Sequence, residues 1–378
     1  MNVGTAVVGA MALGLAGLFA WAFRALPRER WQILAVLPRQ REPDGAWRGT
    51  NLTYYGVFNA LGLAVAVAVA LVLPGSVAMP LFHLVCCIVA VLAVSLPASK
   101  ILNRWVEGHW HGFTVGGGSF VGIVASPWIV LGVSHLNPPP NVPASVLYVL
   151  GALAPAYALG EGIGRLACIS FGCCYGRPLA DCPAWLRQLF SNAAFTFEGP
   201  LKKAAYAHGL QGQRLIPVQA LTAVISSLAG LAGVALFLSG RPVPAFVLPV
   251  VATQVWRFVS EFLRADYRGE GRISAYQMMA LTAATYAILI GILWPRTPPL
   301  APDVTRGLAL LWTPGAILFI EAVAAFVFFR MGVSTVTASR VAIYLVSRPQ
   351  KEPVSLDPAT ERTTKVTKNT KVSGSLPM

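Results

Sequence analysis

Ionisable side chains inside apolar, helix-length segments cost at least about 2.5 to 3.5 kcal/mol each, so they mark sites of function. Two such groups stand out in this chain. Glu161 and Arg165 lie four residues apart near the end of one apolar run, and Arg257, Glu261 and Arg264 lie near the end of another. Helical spacing pairs Glu161 with Arg165 and Arg257 with Glu261. The pattern is met by two structural ion pairs that hold helix ends at an interface. It is met equally by two guanidiniums converging on a phosphate, whose oxygens the planar arginine fork binds bidentately. Between the two groups runs Gly164-Arg165-Leu166-Ala167-Cys168-Ile169-Ser170-Phe171-Gly172-Cys173-Cys174-Tyr175-Gly176-Arg177. Its three glycines and two arginines suit a tight turn at a membrane surface, where backbone approaches a lipid head group. Cys168, Cys173, Cys174 and Cys182 fall within fifteen residues there. Their spacing is not a standard zinc arrangement, and the sequence predicts no metal and no cofactor. The cluster reads as disulfides bracing the turn or as reactive thiols, a covalent carrier among them.

The elements that must position these groups are membrane helices. The chain is 56% hydrophobic and 12% charged, half the charge of an average soluble domain. Apolar runs recur near 3–22, 56–74, 77–98, 113–134, 144–163, 218–238, 243–262, 274–294 and 308–329, each close to the roughly 20 residues that cross a bilayer as helix. The predicted fold is an all-α, polytopic membrane protein of about nine spans. The runs are continuously apolar rather than alternating, which disfavours a β-barrel. The net charge of +14 lies mostly in loops and tail, so anionic lipid rather than nucleic acid is the expected partner. Arg24, Arg28 and Arg30 follow the first run, which therefore reads as an uncleaved anchor rather than a secretory signal. A polar linker from Phe23 to Thr53 carries six arginines against three acids.

Taken in order, these residues resemble the prolipoprotein diacylglyceryl transferase family. Gly164, Arg165, Gly172, Gly176 and Arg177 fall in register with its Gly-Arg … Gly-x-x-x-Gly-Arg signature. Tyr54-Tyr55-Gly56 resembles its Trp-Tyr-Gly opening, Gly116-Gly117-Gly118-Ser119-Phe120-Val121-Gly122 its Gly-Gly-Met-Ser-Phe-His-Gly turn, and Pro217-Val218-Gln219 its Pro-x-Gln. Arg257 to Arg264 follows an Arg-x-x-x-Glu-Phe-x-Arg run, and Ser274-Ala275-Tyr276-Gln277 stands for Ser-x-Gly-Gln. The resemblance implies a seven-helix core at 53–295 with a head segment at about 168–216. It leaves an extra helix and basic linker at 1–52, another helix at 296–330, and a polar tail at 331–378, disordered from about 351. It also implies transfer of a diacylglyceryl group from phosphatidylglycerol to the lipobox cysteine of a prolipoprotein, recognised through its signal peptide, in the bacterial inner membrane. Arg165, Arg257 and Tyr55 would be the catalytic residues. Gly164, Gly172, Gly176, Gln219, Glu261, Arg264 and Ser119 would line the substrate, and Glu161 would position the arginines.

The departures fall on reactive groups. The family histidine is Val121, its asparagine Cys168, its acidic residue Cys173, and the histidine before Pro-x-Gln is Ile216. A cysteine attacks as thiolate, with a free pKa of about 8.5, so a missing base matters; His109 and His111 are the nearest substitutes in sequence. Anionic-lipid binding without transfer, or thiol-redox chemistry, are the alternative functions. Orientation conflicts too: the linker and tail arginines vote by the positive-inside rule for a cytoplasmic face, where the family places its head outside.

Overall fold

The computed structural model describes residues 3–107, 114–139, 146–265, 273–296 and 298–334, with the backbone of 340–341. His109, His111, Arg268, Arg272 and the tail from 351 lie outside the described residues. Among the described residues, nine helices are long and apolar enough to cross a membrane. They are α1 (Val3–Ala25), α2 (Tyr54–Gly75), α3 (Leu81–Glu107), α4 (Val115–Leu136), α5 (Val146–Phe171), α8 (Val218–Leu238), α9 (Pro242–Ser260), α10 (Ala275–Leu293) and α12 (Pro314–Gly332). Shorter helices α6 (Ala184–Leu189) and α7 (Lys203–His208) lie in the head, and α11 (Val304–Leu311) precedes the last span. The run near 308–329 is therefore not one helix. Trp312 and Thr313 close the amphipathic α11, and Pro314 starts α12 at a first-turn position, where its missing N–H costs nothing.

Helix α5 is the axis of the bundle, the most enclosed of the nine spans. Its apolar residues surround it on every side, which suits a helix walled by others, and it packs on α2, α8 and α9. Small residues allow the closest of these contacts: a Cβ on Gly62 of α2 would meet the Gly160 carbonyl at 2.8 Å. The helix runs on to Phe171. Arg165 thus sits inside α5 rather than in a turn after it, and the turn comes at Gly172.

The linker after α1 is folded. Strands β1 (Ile33–Arg41) and β2 (Trp47–Thr53) form an antiparallel hairpin with Ile33 opposite Thr53. On the other side of β2 the chain beyond α12 returns as β5 (Val333–Ser334) and β6 (Arg340–Val341). The start of the predicted polar tail is therefore sheet. The head, between Gly172 and Pro217, has a two-strand ladder of β3 (Phe195–Thr196) and β4 (Arg214–Leu215).

The first helix is tied to the head by polar contacts. The Lys202 side chain is fully buried, and its Nζ donates to the carbonyls of Leu26 at 2.9 Å and Ser170 at 2.5 Å. An ammonium there completes the carbonyl ends of α1 and α5. Burial nonetheless pushes the Lys202 pKa down to about 7, against the pull of Glu29 and Glu198. The Gln32 amide donates to Leu201 O, and Ser170 Oγ to Trp31 O.

Candidate functional site

Near one end of the bundle α5 and α9 meet through a single carboxylate. Glu161 Oε1 accepts from Arg165 Nη2 at 2.6 Å and from Arg257 Nη2 at 2.5 Å. Tyr157, one turn earlier on α5, donates its hydroxyl to Glu161 Oε2 at 2.6 Å. The same hydroxyl accepts from Gln254 Nε2 and from Arg257 Nη2, both at 3.2 Å. All three charged side chains are nearly enclosed, 11% exposed for Arg165, 9% for Arg257 and 4% for Glu161. Two cations and one anion leave a net positive charge in a low-dielectric setting, where an incoming anion is held far more strongly than in water.

The expected Arg257–Glu261 pair does not form. Helix α9 ends at Ser260 and the chain tightens into a 3-10 turn over Glu261–Leu263, which removes the i,i+4 geometry. Glu261 instead faces Arg264 at 3.7 Å, and Arg257 crosses to Glu161. Gln277 fixes the next helix here. It completes a capping box with Ser274 at the start of α10 and donates to the Phe258 carbonyl at 3.1 Å.

Two cavities share this floor. One, of about 580 Å³, is lined by Tyr55, Arg165, Gln219, Arg257, Glu261 and Arg264 among others. The second, of about 350 Å³, runs between α2, α3, α4 and α5 past Leu63, Val67, Ile88 and Val250 and is almost wholly apolar. Tyr55, Glu161, Arg165 and Cys168 border both. Ser119 and Gly164 line the apolar cavity. Two buried atoms on the polar wall, Arg257 Nε and Gln219 Oε1, have no hydrogen-bond partner among the described residues. An anionic head group over an apolar slot is the shape of a phospholipid.

The family model for prolipoprotein diacylglyceryl transferase matches residues 46–294, well over half of the chain. The chain belongs to this family. It is 32% identical over 157 residues to the phosphatidylglycerol–prolipoprotein diacylglyceryl transferase of Clostridium tetani, covering 39% of this chain and 52% of that protein. To the phosphatidylglycerol–prolipoprotein diacylglyceryl transferase of Dehalococcoides mccartyi it is 26% identical over 259 residues, 68% of this chain and 76% of the other. The chain thus spans about half the length of the first relative and three quarters of the second. Helices α1, α11 and α12 lie outside the family match.

Within the family signature, Gly172 and Gly176 serve the backbone rather than the cavity. Gly172 closes α5 in a left-handed conformation, φ +73°, with its N–H on Ile169 O and that of Cys173 on Cys168 O. This is a Schellman motif. A Cβ on Gly176 would meet the Ile216 carbonyl at 2.5 Å, where the chain pairs with Arg264. The Gly116–Gly122 segment is not a turn but the first two turns of α4, capped by Thr114.

The polar cavity also carries sulfur. Cys168, Cys173 and Cys174 all line it, and their Sγ atoms lie within 4.8 Å of one another. Hydrogen bonds from the Cys168 and Cys173 thiols hold Cys174 well below the usual thiol range, with the Arg264 and Arg165 guanidiniums helping against burial. Cys182 is not part of this group. It packs with Leu179, Ile216 and Val218 and donates to Pro178 O. Gln219 braces the wall, donating to Cys173 O at 2.8 Å.

Sequence reasoning missed Tyr157, Gln254 and His208. The first two sit in apolar spans where an aromatic or amide draws no notice. His208 ends α7, lines the polar cavity and hydrogen-bonds Tyr175; its only signal was its place in the head.

Proposed function

We propose that the paired cavities bind phosphatidylglycerol and that the protein transfers its diacylglyceryl group to the lipobox cysteine of a prolipoprotein in the bacterial inner membrane. The reading rests on one observation. A single buried carboxylate, Glu161, holds guanidiniums from two helices at the junction of a polar and an apolar cavity. The apolar cavity takes acyl chain, and the head-group phosphate lies against Arg165 and Arg257.

In the transfer step the acceptor thiolate attacks the glyceryl carbon. A sulfur–carbon bond forms, the carbon–oxygen bond to phosphorus breaks, and its electron pair stays on the phosphate. Glycerol phosphate leaves with more negative charge than it carried as a diester. Arg165 and Arg257 meet that charge already oriented, so they stabilise the transition state without reorganising. Tyr55 and Gln219 orient the glyceryl portion, Arg264 extends the basic wall with Glu261 beside it, and Ser119 borders the chain slot. Glu161 and Tyr157 are positioning residues. They hold the two guanidiniums together on one carboxylate at the edge of the cavity.

Complementation tests the reading. A strain depleted of its own diacylglyceryl transferase should grow with the wild-type chain and fail with Arg165→Ala or Arg257→Ala. Failure of the wild type, expressed and inserted, counts against it. Val121, where the family carries histidine, favours a second reading of lipid binding without transfer. That reading predicts anionic lipid co-purifying with the protein, with no lipidated peptide formed.

A further inference from the structure

The three thiols at the cavity wall have no part in the reaction described above, yet they are arranged as ligands of one ion. Sulfurs tetrahedrally disposed around zinc at bonds of about 2.3 Å stand about 3.8 Å apart. The Sγ atoms of Cys168, Cys173 and Cys174 already lie within 4.8 Å. They come together because of how α5 ends. The Schellman motif bonds Cys173 N to Cys168 O at 3.1 Å, which sets those two side chains next to each other. Cys174 then takes a left-handed backbone, φ +55°, uncommon for a residue with a Cβ, and the chain turns back on the pair. The sequence spacing therefore looks like no zinc motif although the three-dimensional one does.

The ligand set and its surroundings agree on the kind of ion. Three sulfurs select zinc or copper(I) over magnesium or calcium. Three thiolates on a divalent ion leave one negative charge, and the cationic Arg165 and Arg264 line the same cavity. Among the described residues the group offers no fourth histidine, cysteine or carboxylate. Three protein ligands and one open position is the pattern of catalytic rather than structural zinc. All three cysteines line the polar cavity, so an ion held there would lie within reach of a ligand in that cavity.

We infer that Cys168, Cys173 and Cys174 hold a zinc ion whose open position binds the thiol of the acceptor cysteine. The choice of acceptor rests on the transferase reading; the metal site does not. A thiol that coordinates zinc gives up its proton to water. Its sulfur lone pair attacks the glyceryl carbon, and the electron pair of the breaking carbon–oxygen bond leaves with glycerol phosphate. The product thioether, a poorer ligand than a thiolate, then departs. No oxidant or reductant enters, and the deprotonation that a histidine at position 121 would provide is supplied by the metal.

The test uses the full-length protein in lipid-supplemented detergent, reduced, stripped of metal and given zinc. One zinc per chain is expected, with affinity at least about tenfold weaker in Cys173→Ser and in Cys174→Ser and unchanged in Cys182→Ser. Cobalt in place of zinc should give sulfur-to-cobalt charge-transfer absorption that shifts when a lipobox peptide is added and not with its serine counterpart. Zinc binding no better than that of the triple serine variant overturns the site, as does a disulfide within the trio in freshly isolated protein. Zinc binding without a peptide-dependent cobalt shift overturns the role of the open position. Zinc and peptide binding without lipid transfer upholds the site and counts against the transferase reading alone.

Discussion

In one part of the polar cavity Arg165 and Arg257 are locked to a single carboxylate within transmembrane helices; in another, three thiols sit where α5 gives way to the head. The first wall is assembled from α5 and α9, 96 residues apart for the Glu161–Arg257 contact. The second is assembled within seven residues by one helix terminus. The difference concerns what each wall can change. The guanidiniums need a fixed bundle, and it is this wall that keeps the family pattern. The thiols are brought together by a local turn, and there the chain has replaced the family's polar residues. On the proposed reading, binding the donor and activating the acceptor would be carried by separable parts of one site.

The largest expected effect breaks the first wall. Arg257→Ala should lower transfer by about 100- to 1,000-fold, the usual loss when a preorganised partner of transition-state charge is removed. A turnover assay at saturating peptide would read it. Glu161→Gln keeps the shape and removes the anion, leaving two buried guanidiniums uncompensated. A stability loss of about 3–5 kcal/mol should follow, visible as a lowered unfolding midpoint in detergent; an unchanged midpoint would mean that Glu161 does not hold the pair. Tyr157→Phe deletes the hydrogen bond to the Glu161 carboxylate, worth about 1.5–3 kcal/mol, along with those the hydroxyl accepts from Gln254 and Arg257. It should weaken phosphatidylglycerol binding by about tenfold or more and leave thiol accessibility alone, which would separate the two walls directly.

Two smaller perturbations probe the second wall and the head behind it. Gly172→Ala places a Cβ in a left-handed turn and 3.0 Å from the Lys202 Cβ, at a cost of about 1–2 kcal/mol. It should change the reactivity of Cys173 and Cys174 towards a thiol reagent more than it changes lipid binding. Lys202 predicts a pH dependence. Its folded pKa, about 7, lies below the ordinary lysine value, so the unfolded chain binds the proton more tightly. Stability should therefore rise as pH increases from about 7 towards 10 and be lowest, without further change from this group, below that window. Lys202→Met should flatten the profile in thermal unfolding across that range.

The bundle was legible in the sequence because a membrane helix declares itself by length and apolarity. Each of the nine runs became a span, the last of them shortened by the break at Pro314. The hairpin at 33–53 was hidden in an arginine-rich stretch that reads as linker when no partner strand is in view, and β5 and β6 arrive only from the far end of the chain, after α12. The arginines were legible as intramembrane charge. Their true partner was not, because helical spacing knows nothing of where α9 tightens or which helix it faces. Tyr157 and Gln254 were invisible for the same reason: their meaning is a contact between helices. The thiol trio was the reverse case. Its members stood plainly in the sequence, but the Schellman turn that unites Cys168 with Cys173 obeys no spacing rule for metal ligands.

The most direct test of the central claim is the mass of a lipobox peptide incubated with phosphatidylglycerol and the purified protein in lipid-supplemented detergent. The account predicts a gain of one diacylglyceryl group on the cysteine with the wild type, stoichiometric release of glycerol phosphate, and neither with Arg257→Ala. A wild-type protein that binds phosphatidylglycerol yet leaves the peptide unmodified, or an Arg257→Ala variant that modifies it at the wild-type rate, would contradict it.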